Sequence, residues 1–308
     1  MKSSSKYVCL ALLATIVLTS QSSKGADWTP QKEDRIALVG NVLAERMQHD
    51  GWLETLFQAR FPQHGLSFRN LGFSGDEVNQ RLRSANFGSP DEWLTRVQAD
   101  VVFAFFGYNE SFSDQAGLAR FKDELDAFVQ HTMGQEYDGQ NAARLVLFSP
   151  IAFENLNDPD LPTGAEHNRR LELYTQAMAE IAEKHNVPFV DLFHPTLQVY
   201  ESSDEPFTMN GHFLNERGNH AVAEIIVQTL APKATSHWTS ESMEKLRQVV
   251  KDKNFYWFHR YRTTDGFNVF GGRSSLKYTD DISNWDVMQR EMQVLDSMTA
   301  NRDQIIWQ

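Results

Sequence analysis

Residues 101–106 form an unbroken apolar run, β-branched or aromatic except for Ala104, that stops at Gly107 and leads into Tyr108, Asn109 and Glu110. A strand of this composition has no polar side to turn to water, so it belongs in the middle of a sheet covered on both faces. Open sheets of that kind bind ligands beyond the carboxyl ends of their strands. Asn109 therefore stands where a ligand would be met, unless residues 107–109 are only the turn that ends the strand.

The flanking sequence repeats the theme. Residues 35–40 are a short apolar strand closed by Gly40, and residues 43–60 carry Leu43, Met47, Leu53, Leu56 and Phe57 at roughly helical spacing, which predicts a helix. Residues 66–70 alternate as a second strand, followed by a loop with Gly72 and Gly75 in which Asp76 is expected to cap a short helix. Ser89 and Pro90, with Asp91 and Glu92 behind them, open another helix. Residues 113–131, 168–185 and 220–230 are helical by pattern, and residues 144–148 and 187–192 read as strands. Strands alternating with helices at this spacing predict an α/β fold with a five-stranded parallel sheet and helices on both faces.

The 308 residues suffice for one large α/β domain and an appendage. Residues 1–26 read as a secretory signal, with Lys2 and Lys6 before a short apolar core and small residues after it, so export to the periplasm or beyond is expected. Its apolar run is too short to span a bilayer, and no stable membrane insertion is expected. The single cysteine, Cys9, lies in that leader, which leaves no thiol for disulfides, thiolate metal sites or a cysteine nucleophile. Without the three lysines of the leader the formal charge of −12 becomes about −15, which opposes nucleic-acid binding. Residues 27–232 hold the α/β pattern. Residues 233–308 differ in character: a polar helix with Thr239 or Ser240 at its cap precedes aromatic-dense stretches at 255–261 and 266–272, expected either to pack onto the domain or to bind a sugar or a partner. The apolar end at Ile305, Ile306 and Trp307 suggests a docked terminus or a further partner domain beyond it.

Four loops follow successive strands: Gly40, Asn41 and Val42; Ser74 and Gly75; Gly107, Tyr108 and Asn109; and Asn210, Gly211, His212 and Phe213. In order and spacing they resemble the sequence blocks of the SGNH hydrolases, also called GDSL esterases and lipases, over about residues 36–230. The resemblance implies a three-layer α/β/α, flavodoxin-like fold and acyl transfer without a cofactor. In that family a serine after the first strand attacks, a histidine in the last loop takes its proton, and an aspartate three residues earlier orients the histidine. A block-two glycine and a block-three asparagine complete an oxyanion hole. Gly75 and Asn109 match those two positions. Val42 stands where the family has its serine, and Phe213 where it has its histidine. His212 is one residue early, which in an extended loop turns the side chain to the other face. Asn210 replaces the aspartate, able to orient an imidazole without its charge.

Other groups offer alternatives. Glu110 is a carboxylate beside the site that could serve as a base on water, while Ser74 and Ser111 are hydroxyls more commonly engaged in turns. His220 lies within a helix, and Asn41 suits a turn. His212 and His220 lack a carboxylate at a metal-ligand spacing, so no metal is expected. Gly72 and Gly75 lack the lysine of a phosphate loop. Two functions remain: hydrolysis of carboxylic esters or acetylated carbohydrates through Gly75 and Asn109, with His212 or Glu110 as base, or a binding module that kept the pocket and lost acyl transfer, recognising a glycan or a protein in a larger exported assembly.

Overall fold

The computed structural model describes residues 28–234, 238–263, 266–279 and 281–308; the expected signal segment lies outside them. Strands β1 (Arg35–Gly40), β2 (Ser67–Asn70), β3 (Val101–Phe105), β4 (Arg144–Phe148) and β5 (Phe189–Val190) form one parallel sheet in the order β2-β1-β3-β4-β5. This is the flavodoxin-like order. Every residue of β3 is buried, as its uniformly apolar sequence requires.

Side chains alternate across the sheet. Ile36, Leu38, Val101, Phe103, Phe105, Val146 and Phe148 face one helical layer, and Ala37, Val39, Val102, Ala104, Leu145 and Leu147 face the other. The first layer holds α1 (Val42–Asp50), α2 (Trp52–Arg60) and α7 (Glu216–Leu230). The second holds α3 (Pro90–Arg96), α4 (Asp114–Met133) and α5 (Ala165–His185). Helix α6 (Phe193–Glu201) follows β5.

Three local expectations are corrected. Residues 43–60 form two helices rather than one, because Gly51 adopts a left-handed conformation (φ 71°) that ends α1 and begins α2. Asp76 caps no helix: its buried carboxylate accepts two bonds from Arg83, at 2.7 and 2.8 Å, and residues 71–89 remain a loop. The fifth strand is only Phe189–Val190, since pairing with β4 stops there. Ser89 and Glu92 do form a reciprocal capping box with Pro90 in the first turn of α3.

Residues beyond 238 form α8 (Ser240–Arg262), α9 (Gly266–Val269), a small hairpin of β6 (Lys277–Thr279) and β7 (Ile282–Ser283), and α10 (Asn284–Ile306). Thr239 caps α8, accepting from the Ser242 N–H. Trp257, Tyr261 and Phe270 pack into the core against Phe87 and Trp93, so much of the aromatic segment is interior. Helices α8 and α10 also lie along the open edge of β2. Ser67 and Leu71 donate inward to Asp34 and Leu38, which leaves the carbonyls of Leu66, Phe68 and Asn70 facing outward. Those carbonyls accept from Trp307 Nε1 (2.7 Å), Lys253 Nζ (3.1 Å) and Trp257 Nε1 (2.8 Å), and the Tyr261 hydroxyl donates to Leu71 (3.0 Å). Side-chain donors thus stand in for a sixth strand.

Candidate active site

The loops after β1, β2 and β3 gather at the carboxyl edge of the sheet, as the topology requires. Gly40 has φ 129°, and a Cβ there would sit 2.0 Å from the Phe105 carbonyl oxygen, so only glycine lets β1 and β3 end side by side. Asn41 donates its backbone N–H to that oxygen and caps α1 by accepting from the Leu43 N–H at 3.2 Å. Val42, the next residue, is buried.

Asn109 and Gly75 are brought together. The Asn109 carboxamide donates to the carbonyls of Ser74 (3.1 Å) and Asp76 (2.9 Å), the two residues that flank Gly75. Gly75 itself is exposed, with open space over its Cα. The loop is braced from behind by Phe73, whose ring lies between the guanidinium of Arg83 at 3.6 Å and that of Arg262 at 3.8 Å.

Glu110 points inward. Its carboxylate accepts from the N–H groups of Val78 (2.8 Å) and Gly107 (2.9 Å), stitching the second loop to the third. Burial pushes its pKa up to about 7 against these stabilising bonds. A second carboxylate, Glu154, which no sequence signal had marked, does the same for the last loop through Phe207 and Thr208.

The last loop is a tight turn rather than an extended segment, with Thr208 bridged to Leu214 and the Met209 N–H bonded to the Phe213 carbonyl. Asn210 shapes it by accepting from the N–H groups of His212 (3.2 Å) and Phe213 (2.8 Å), so its carboxamide oxygen serves the backbone rather than an imidazole. His212 is buried and lies flat on Tyr108, with ring centres 3.4 Å apart and planes 5° from parallel. Both of its ring nitrogens are enclosed and without a hydrogen-bond partner. Burial holds its pKa down to about 3 and that of Tyr108 up to about 12. His212 thus reaches the third loop, but through Tyr108 rather than Asn109. Phe213 is half-buried beneath the guanidinium of Arg46, 5.3 Å from the ring centre.

The remaining hydroxyl and histidine candidates are placed as follows. Ser111 is buried and donates to the Tyr108 carbonyl at 2.6 Å, Ser74 is exposed on the loop, and His220 packs on Trp52 at 4.1 Å. Among the described residues no three metal-ligating side chains converge, and no helix is long and apolar enough to cross a membrane. Two residues escaped the sequence reading although signals existed. Tyr108 is the aromatic between Gly107 and Asn109, and Arg46 lies four residues after Val42, on the same face of α1.

The fold and the loop cluster define an open α/β protein whose strand-end loops gather at the carboxyl edge of its sheet. Residues 40–221, more than half of the chain, match the GDSL-like lipase/acylhydrolase family model, and the chain belongs to that family. Ester and acyl-bond hydrolysis is therefore the general chemistry of its class. Solved structures share the fold at low identity. A GDSL-like lipase candidate from Parabacteroides merdae aligns with a TM-score of 0.54 and 14% identity over 68% of this chain and 100% of that one. An alpha/beta hydrolase enzyme from the metagenome of Lake Arreo, Spain, gives 0.52 and 16% over 67% and 99%. A gut microbial diltiazem-metabolizing enzyme gives 0.52 and 14% over 68% of this chain but only 49% of its own length. No curated protein matches the chain.

Proposed function

We propose that the protein is an exported binder of carboxylic esters, among them acetylated carbohydrates, that hydrolyses them slowly and without an acyl-enzyme. The observation that carries this reading is the exposed Gly75 held beside the Asn109 carboxamide, with Val42 and Phe213 in the places of a nucleophile and its base. A carbonyl oxygen entering there would meet the Gly75 N–H and displace the longer of the two Asn109 bonds, that to Ser74. Water is then the attacking group. Neither His212, held neutral and enclosed, nor Glu110, bonded to two backbone N–H groups, is free to take its proton, which passes to bulk water while the departing alkoxide takes one up from solvent. Donor alignment and binding alone leave about 10³ to 10⁴ over the uncatalysed rate. Export rests on the lysines and apolar core of residues 1–26.

The test is hydrolysis of p-nitrophenyl acetate and acetylated xylo-oligosaccharides by the chain from residue 27 onward. Asn109→Ala and Gly75→Val are expected each to lower turnover by about 10². Turnover indifferent to both would overturn the reading. Val42→Ser with Phe213→His is expected to raise turnover and to create labelling by a fluorophosphonate. The engagement of His212, Glu110 and Asn210 elsewhere favours a second reading, a purely binding site, which saturable ester binding without any turnover would select.

A further inference from the structure

Helix α10 docks through one face, on which Met292, Thr299, Asp303 and Ile306 are buried and from which Asp296 pairs with Arg260 of α8 at 2.8 Å. Its opposite face is not polar. Val287, Val294 and Ile305 are 37%, 52% and 51% exposed, and the half-buried Met298 lies between the last two. At 3.6 residues per turn these four positions fall within about 40° of one line along the helix, and that line runs roughly 140° round from Met292. A helix on a protein surface turns its apolar stripe to the core and keeps the other side polar. Helix α10 thus carries a second stripe, facing away from the core.

The stripe residues are seven, four and seven positions apart, a spacing that reads the same in both directions. A two-fold axis at the level of Asp296 therefore sets Val287 against Ile305, and Val294 against Met298, of a second copy running antiparallel. The flanking charges agree with that register. Glu291 is exposed and in no ion pair among the described residues. It comes level with Arg302 of the second copy on the same side of the stripe, and symmetry forms this pair twice. Arg302 bonds Asp252 and Tyr256 of its own chain through Nε (2.8 Å) and Nη2 (3.4 Å), which leaves Nη1 to donate. A parallel pairing would instead bring Glu291 level with itself. The other acids of the helix interior, Asp296 and Asp303, are turned inward and paired with Arg260 and Arg69, so the acidic balance of the chain is not concentrated here. Helix α10 has no lysine, and an acid flanks its stripe, so it does not suit an anionic lipid surface. We propose that α10 is the contact of a symmetric homodimer, two copies packing antiparallel along this stripe. The stripe is about 27 Å long. That places the contact at the small end of specific interfaces, where micromolar association is expected. The inference is independent of the ester-binding reading.

Sedimentation equilibrium of the chain from residue 27 onward, over a range of concentrations, tests it. A monomer–dimer equilibrium is expected, with no higher species. Val294→Glu should weaken it at least tenfold and Glu291→Lys, which meets Arg302 with like charge, about threefold. Gln293→Glu, an exposed position about 120° round the helix from the stripe, should leave it unchanged. Orientation is read by oxidative cross-linking, since the chain from residue 27 has no cysteine of its own. A mixture of Val287→Cys and Ile305→Cys chains is expected to give a disulfide-linked heterodimer, while neither variant links to itself, because the two positions lie about 27 Å apart along the helix. These substitutions are on the face away from the core, and circular dichroism checks that each chain is folded. A chain that stays monomeric into the millimolar range overturns the inference, as does a dimer indifferent to Val294→Glu. Self-linking of Val287→Cys would show a parallel pairing and overturn the proposed geometry. Binding of the monomer to phosphatidylcholine vesicles that Val294→Glu abolishes would assign the stripe to lipid instead.

Discussion

Glu110 and His212 lie on neighbouring loops, and burial moves their proton affinities in opposite senses. Glu110 has a folded pKa of about 7 against an ordinary 4.5, so the folded state holds its proton more tightly than the unfolded chain does. Its contribution is present below about pH 4.5 and lost as pH rises to 7. His212, at about 3 against 6.5, contributes above pH 6.5 and loses that contribution as pH falls toward 3. Between about pH 4.5 and 6.5 the two slopes oppose each other, so melting temperatures are expected to stay nearly level there. Glu110→Gln should uncover a rise with pH across that window, and His212→Phe should uncover a decline. A profile unchanged by either substitution would mean that these groups are solvated in solution.

At the scale of elements, the edge strand β2 and the α8–α10 pair depend on each other. Lys253, fully buried, pairs with the equally buried Glu54 of α2 while donating to the Phe68 carbonyl, and Arg69 of β2 pairs with Asp303 of α10. Burial raises the pKa of Glu54, and Lys253 opposes that shift. A buried pair is weak evidence of net stabilisation, but removing one partner strands the other charge at a cost of about 3–5 kcal/mol. Lys253→Met is therefore expected to lower unfolding free energy by roughly that amount in urea, and Glu54→Gln added to it should recover a large part. A loss under about 1 kcal/mol from Lys253→Met would show that Glu54 is neutral or hydrated.

For the whole molecule, the indole, ammonium and phenol donors of the last seventy residues cover the β2 edge of the sheet. Deleting residues 233–308 should bare the carbonyls of Phe68 and Asn70 and the apolar faces of Phe87 and Trp93, while Gln58 keeps its bond to Leu66, giving a chain that self-associates by light scattering. A monomeric, cooperatively folding truncation would overturn that account. The sheet, its helical layers and the loops bearing Gly40, Gly75, Asn109 and Asn210 were legible in the sequence, because apolar runs, capping residues and glycines act over a few positions of chain. The break at Gly51 was not, since the apolar spacing runs through it and only the left-handed backbone ends the helix. The stacking of His212 on Tyr108, the inward turn of Glu110, the arginines flanking the rings and the side-chain ladder along β2 join residues far apart in the chain. Local pattern determined where the strand-end loops lie and which residues they carry. Which polar groups remain free to act there was decided by tertiary packing, because burial and long-range hydrogen bonds set each group's partners and charge.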